Sequence, residues 1–290
     1  MKLVERSANG GALRWSAAAA AFAVLLAAPG CLDIVGAEMG RYTERDEKRF
    51  TVSGTPDVTL GTFDGSIEIR PWDKAEVEVV IEKRGRSKAV TDAIEVHSEH
   101  DGNRIAVEAR LPQGHRDGFH FGTSRSARLI VSVPAAANVI ATSGDGAIDI
   151  ERIGGRLQLR SGDGSIRARD ISGDLDVHTG DGSITVGGKL ASVRAHSGDG
   201  SVTIHLNEGS APASDWDIST GDGSVTLEIP DSFAAELDAH TGDGGISMHD
   251  VTLSNVTGRI GRNSLRGRLG DGGHSVKVRT GDGSITLKRS

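Results

Sequence analysis

At 290 residues and a net charge of -7, the chain has room for one large domain or two ordinary ones, and it lacks the basic footprint of a nucleic-acid binder. Hydrophobic residues make up 37% of it and aromatics only 3%, so its core must be aliphatic. A single cysteine, Cys31, excludes an internal disulfide and a cysteine-based metal site.

In chain order, the first element is an export signal over residues 1–30. Lys2, Arg6 and Arg14 supply its positive start. Trp15 to Ala28 is an apolar stretch too short to span a membrane comfortably, and small residues lead up to Cys31. This is the layout of a lipoprotein-type signal, with Cys31 as the lipidated first residue of the mature chain. Ala28 and Pro29 depart from the usual residues before such a cysteine, and ordinary cleavage after Gly30 is the other reading. Leu32 follows, so no acidic residue argues for inner-membrane retention. The expected location is the cell envelope, at the outer membrane or cell surface.

Residues 31–49 are charged and read as a tether, and 50–290 as a single domain. From 50 to 111, apolar and polar residues alternate, as in Val77/Val79/Ile81 and Ile105/Val107. That is the period of half-buried strands, expected here as wider coils of the same stack. Ser87 to Ala93 has a short helical period and is expected to be a loop. Pro112 to Ala127 has no period and reads as an exposed loop; it holds the only aromatic–histidine cluster, His115, Phe119, His120 and Phe121.

The dominant feature then begins. Gly-Asp-Gly recurs, centred on Asp145, Asp163, Asp181, Asp199, Asp222, Asp243, Asp271 and Asp282, with a degenerate copy at Asp64. The first four are about 18 residues apart. Each copy is flanked by apolar pairs at i and i+2, such as Leu157/Leu159 before a turn and Ile166/Ala168 after it. Two strands this short cannot bury their apolar face alone. Stacked in parallel, successive units can. The fold class expected is therefore all-β: a right-handed parallel β-solenoid with two-strand coils of about 18 residues. Asn207 to Asp215 reads as a protruding loop, and the stretch from Met248 to Val276 as an extra coil or a cap.

The order of these features resembles the bacterial putative adhesin family, domain-of-unknown-function family 4097. The features that carry the resemblance are Thr62-Phe63-Asp64-Gly65-Ser66-Ile67-Glu68-Ile69 with Pro71-Trp72-Asp73, then Leu129-Ile130-Val131-Ser132-Val133-Pro134, then the serial Gly-Asp-Gly-Ser-Ile units. The resemblance covers roughly residues 50 to 290 and implies a solenoid in the envelope. It implies no catalytic residue, and none is assigned.

Gly144, Asp145, Gly162, Asp163, Gly180, Asp181, Gly198, Asp199, Asp222, Asp243 and Asp282 are read as turn residues, with glycines at positive φ around an aspartate that caps its own backbone. Stacked carboxylates repel. The sharper reading is that Asp145, Asp163, Asp181 and Asp199 hold calcium, but the spacing of calcium-binding nonapeptide repeats is absent. A basic row, Arg160, His178, His196, His240 and Arg279, interrupted by Ser219, is expected to offset the repulsion. Metal binding by His178 and His196 is a lesser possibility. Trp216 is expected in the core and Trp72 near an exposed turn. The functional expectation is a non-enzymatic envelope module that binds an envelope protein or polysaccharide, or serves a structural role, with no cofactor, no nucleic acid, and membrane attachment through the lipid. The alternatives are a carbohydrate-acting β-helix enzyme, which could present acids on one face, and a calcium-stabilised repeat.

Overall fold

The computed structural model describes residues 33–34, 42–112, 125–258 and 262–290. They form strands throughout, apart from one helix, Lys88–Asp92. That helix lies where a loop was expected. It is a single turn closed by the Lys88–Asp92 ion pair at i,i+4, and its N-cap residue Ser87 makes no side-chain bond.

The Gly-Asp-Gly units build two parallel columns of strands. One column holds the strands that lead into each turn, and the other the strands that leave it. Leaving strands pair in constant register: Ile148 faces Ile166, Ile166 faces Ile184, and Ile184 faces Val202. Leading strands do the same, with Leu157 opposite Leu175 and Leu175 opposite Val193. Because side chains alternate across a strand, this register stacks apolar residues in rows on the inner face. Ile148, Ile150, Ile166, Ala168, Leu175 and Val177 are all buried, within one core fed by both columns. Each buried aliphatic side chain contributes about 1.5–3 kcal/mol relative to exposure. Trp216 is buried as expected, packed on Phe233 with ring centroids 5.6 Å apart, and its indole N–H donates to the Ala191 carbonyl at 3.1 Å. Trp72 is half-buried, donating to the Glu76 carbonyl at 2.7 Å.

The stack does not follow the chain at its ends. Ser275–Thr280 and Ile285–Arg289, the last strands in sequence, lie between the Asp222 coil and the Asp243 coil. The first coil, Asp57–Thr62 with Ile67–Trp72, lies between the Asp145 coil and an outer pair, Arg104–Arg110 and Ser126–Pro134. At each end the coil nearest a terminus is thus paired on both sides.

Antiparallel strands finish the stack. Glu95–Asp101 and Glu76–Gly85 close the first end, and Tyr42–Thr51 adds to the latter. Ser264–Leu269 and Ser254–Gly258 cover the leading column at the other end, so the stretch after Met248 is a cap. The residues before Thr51 are not all tether. Asp33–Ile34 and Tyr42–Thr51 are strands, and the latter carries charges of both signs, Glu44 to Arg49, along an outer strand that is only half-buried. Charges on outer strands discourage pairing with other chains.

Candidate functional site

The repeat singles out two surfaces, the turn edge and the basic row beside it, and the structure adds a third, the outer face of the leading column.

At the turn edge, the hold is made by the residue two before each turn aspartate, which precedes the first glycine in every copy but the first, where Phe63 takes the glycine's place. Thr62, Ser143, Ser161, Thr179, Ser197, Thr220, Thr241 and Thr280 are all buried there. Ser161 Oγ donates to the Gly146 carbonyl of the preceding coil at 2.9 Å and accepts from the Gly164 N–H at 3.0 Å. Ser197 repeats both bonds, to Gly182 and from Gly200. Thr220, Thr280 and Thr241 donate in the same way to Gly200, Gly223 and Gly283. The hydroxyl therefore ties its residue to the neighbouring coil and, where the second bond forms, holds its own turn as well.

The glycines answer a different need from the one expected. Among the stacked aspartate-bearing turns only Gly65 has a positive φ, of 134°. The others are required by close approach, since a Cβ on Gly182 would lie 2.2 Å from the Gly164 carbonyl oxygen, and one on Gly164 would lie 2.2 Å from that of Gly146. Gly162, Gly180, Gly198 and Gly221 donate backbone N–H bonds straight up the column, Gly180 to Gly162 at 2.5 Å and Gly198 to Gly180 at 2.6 Å.

The aspartates between these glycines do not cap the turns. Asp145, Asp163, Asp181, Asp199, Asp222, Asp243 and Asp282 are exposed. None has a side-chain hydrogen bond or ion pair among the described residues. Exposure to water is what relieves their stacking. Asp64 is the half-buried member, and its carboxyl is pushed above the usual range by burial first and by the Asp145 carboxylate second. Asp271 is not part of the column at all. Gly270 and Gly272 there have φ of 53° and 80° and turn the chain between the antiparallel cap and the last coil.

The basic row is continuous in space: Arg160 faces His178, His178 faces His196, and His196 Nδ1 lies 3.0 Å from Ser219 Oγ. The His178 and His196 rings stack, with centroids 5.0 Å apart and planes 12° apart. This row does not pair with the turn carboxylates. Arg160 approaches Asp176 at 4.0 Å, and Arg279 bonds Asp238 at 3.2 Å. These acids lie two residues back on the strands, on the same outer face, which is why they win the contact. Among the described residues, no group of three or more His, Cys, Asp or Glu side chains is arranged to hold a metal. Cys31 and the cluster His115, Phe119, His120 and Phe121 lie outside the described residues.

The outer face of the leading column carries a cleft of about 770 Å³. Its lining crosses seven strands, from Glu99 and Asp101 through Arg104, Ala106, Asp57, Thr59, Asn138, Ile140, Arg156 and Asp174 to Arg194. Its middle is low because the outward side chains there are small or aliphatic: Ala106, Thr59 and Ile140. Ile140 is 42% exposed, one of two large apolar side chains so exposed among the described residues. Most of the charges are held internally. Asp57 accepts from Asn138 Nδ2 at 2.9 Å, Arg194 pairs with Asp176 at 3.3 Å, and Arg156 lies 4.0 Å from Asp174. Glu99, Asp101 and Arg104 have no ion-pair partner among the described residues. No cleft residue stood out in the sequence, because the strands that bring Thr59, Ala106 and Ile140 side by side are far apart along the chain.

Among the described residues, no helix is long and apolar enough to cross a membrane. A search of curated proteins finds no match to the chain. Solved structures resemble it at low identity. A putative cell adhesion protein from Clostridium sporogenes is 14% identical, with a TM-score of 0.38, covering 85% of this chain and 100% of its own. A putative adhesin from Parabacteroides merdae is 10% identical, with a TM-score of 0.42, covering 84% and 95%. A putative lipid binding protein from Parabacteroides distasonis is 12% identical, with a TM-score of 0.36, covering 84% and 96%. The family model described as Toastrack DUF4097 matches residues 58–288, from the first coil through the last. The chain belongs to the Toastrack DUF4097 family.

Proposed function

We propose that this protein is a non-enzymatic module of the cell envelope that binds a partner through the outer cleft of its leading column. The repeat-borne acids support this reading by what they lack. Asp163, Asp181, Asp199, Asp222, Asp243 and Asp282 form an exposed row without a side-chain partner among the described residues, whereas a catalytic carboxylate needs a partner that sets its protonation and position. The observation that carries the proposal is the cleft itself, a concavity assembled only by stacking, with an exposed apolar centre and, at one end, charges that have no ion-pair partner among the described residues. In the same reading, the stack is a right-handed β-solenoid with coils of about 18 residues, residues 1–30 export it, and Cys31 carries the lipid that holds it at the outer membrane or cell surface. The signal-like start of the chain and the position of its one cysteine support this.

An array of envelope proteins and polysaccharides, probed with the labelled full chain, tests the function. Capture is expected to be lost in Ile140→Lys and kept in Asp163→Asn/Asp181→Asn. The reverse pattern would overturn the reading, as would polysaccharide hydrolysis abolished by a single aspartate change.

A further inference from the structure

We infer that the cleft takes an extended, basic segment of another polypeptide; this rests on the cleft being the binding surface. Six inter-strand steps of about 4.8 Å make the cleft about 29 Å long, which is the reach of about nine extended residues at 3.3 Å each. Its floor and its free charges set the chemistry. Ala106, Thr59 and the exposed Ile140 offer a shallow apolar strip. At one end Glu99 and Asp101 face outward from the edge strand, opposite Ala106 and Arg104 in register. Among the described residues, two carboxylates without an ion-pair partner stand there against one such guanidinium, while Arg156 and Arg194 at the far end already have Asp174 and Asp176 beside them. A lysine or arginine side chain replaces the missing counter-charge, and its aliphatic stem covers the strip. The lining contains no Phe, Tyr or Trp. A sugar ring therefore finds no aromatic face to stack on, which favours a peptide over a glycan.

The test uses the full chain and a fluorescein-labelled nine-residue lysine peptide with one leucine at its centre, followed by anisotropy. Binding is expected to weaken at least tenfold in Glu99→Gln/Asp101→Asn and in Ile140→Lys. It is expected to be unchanged in Asp163→Asn/Asp181→Asn, which removes two acids from the turn edge and controls for attraction to the net negative protein. Melting temperatures of the variants, all at exposed positions, report whether each folds. Failure of the peptide to bind, or equal weakening by both acid pairs, would overturn the inference. So would binding of a neutral chitin oligosaccharide that Ile140→Lys abolishes, although that result would leave the cleft as the binding surface.

Discussion

The same three residues, Gly-Asp-Gly, do two different jobs in this molecule. At Gly180-Asp181-Gly182 the tripeptide is one layer of a column, and its glycines admit the carbonyl of the layer before. At Gly270-Asp271-Gly272 it turns a single chain between antiparallel and parallel strands, and its glycines supply positive φ. The residue in front tells them apart. Stacked copies follow a buried Ser or Thr that bonds the neighbouring coil and, at Ser143, Ser161, Ser197, Thr241 and Thr280, its own turn as well, whereas the isolated copy follows Leu269. A motif read without that residue identifies a turn but not the force that requires it.

The largest expected effect lies in the column. Gly164→Ala places a methyl 2.2 Å from the Gly146 carbonyl oxygen, and main chain bonded on both sides has no room to shift. The cost is about 3 kcal/mol or more, read as a lower denaturant midpoint. Gly187→Ala, with nothing within 4 Å, is the matched control and stays close to wild type. A smaller effect is expected at the isolated turn. Gly272→Ala meets the left-handed penalty of about 1–2 kcal/mol, and Gly272→Asn recovers part of it. Equal recovery by asparagine at Gly164 would break the comparison.

The smallest effect is a pH dependence beside the column. His178 is held below its ordinary value of 6.5 by burial first, then by His196 and Arg160, with Asp176 opposing. Its contribution to stability is therefore complete above the ordinary histidine range. It is lost as pH falls from about 6.5 through the lower folded value, because the unfolded chain takes up the proton first. His178→Gln should flatten this acid limb of the melting-temperature profile. A limb unchanged by the substitution would show that the stacked pair does not set it.

Much of the repeat was legible because burial leaves a period of two. Leu175/Val177, Ile184/Val186 and Val276/Val278 are inward in the sequence pattern and buried in the structure. The order of the coils was not legible. Every coil carries the same inward pairs, so the pattern cannot say that Val276 pairs with both Trp216 and Leu237. Nor could the period separate parallel coils from the antiparallel strands Glu76–Gly85 and Tyr42–Thr51, which alternate equally well. The hydroxyl before each turn stands plainly in the sequence, but an aspartate between glycines is the more familiar turn former and masks its role. The cleft was invisible because residues such as Thr59 and Ile140 are ordinary outward strand residues until the register brings them together.

The claim most open to direct test is that hydroxyls, not carboxylates, hold the column. Ser197→Ala and Asp199→Asn alter neighbouring residues of one turn, and their unfolding free energies can be measured side by side. Ser197→Ala should cost about 1–3 kcal/mol, because the Gly182 carbonyl and the Gly200 N–H both lose their partner. Asp199→Asn should change stability by no more than about 0.5 kcal/mol, in keeping with an exposed side chain without a bond. A larger loss in Asp199→Asn than in Ser197→Ala would contradict the account.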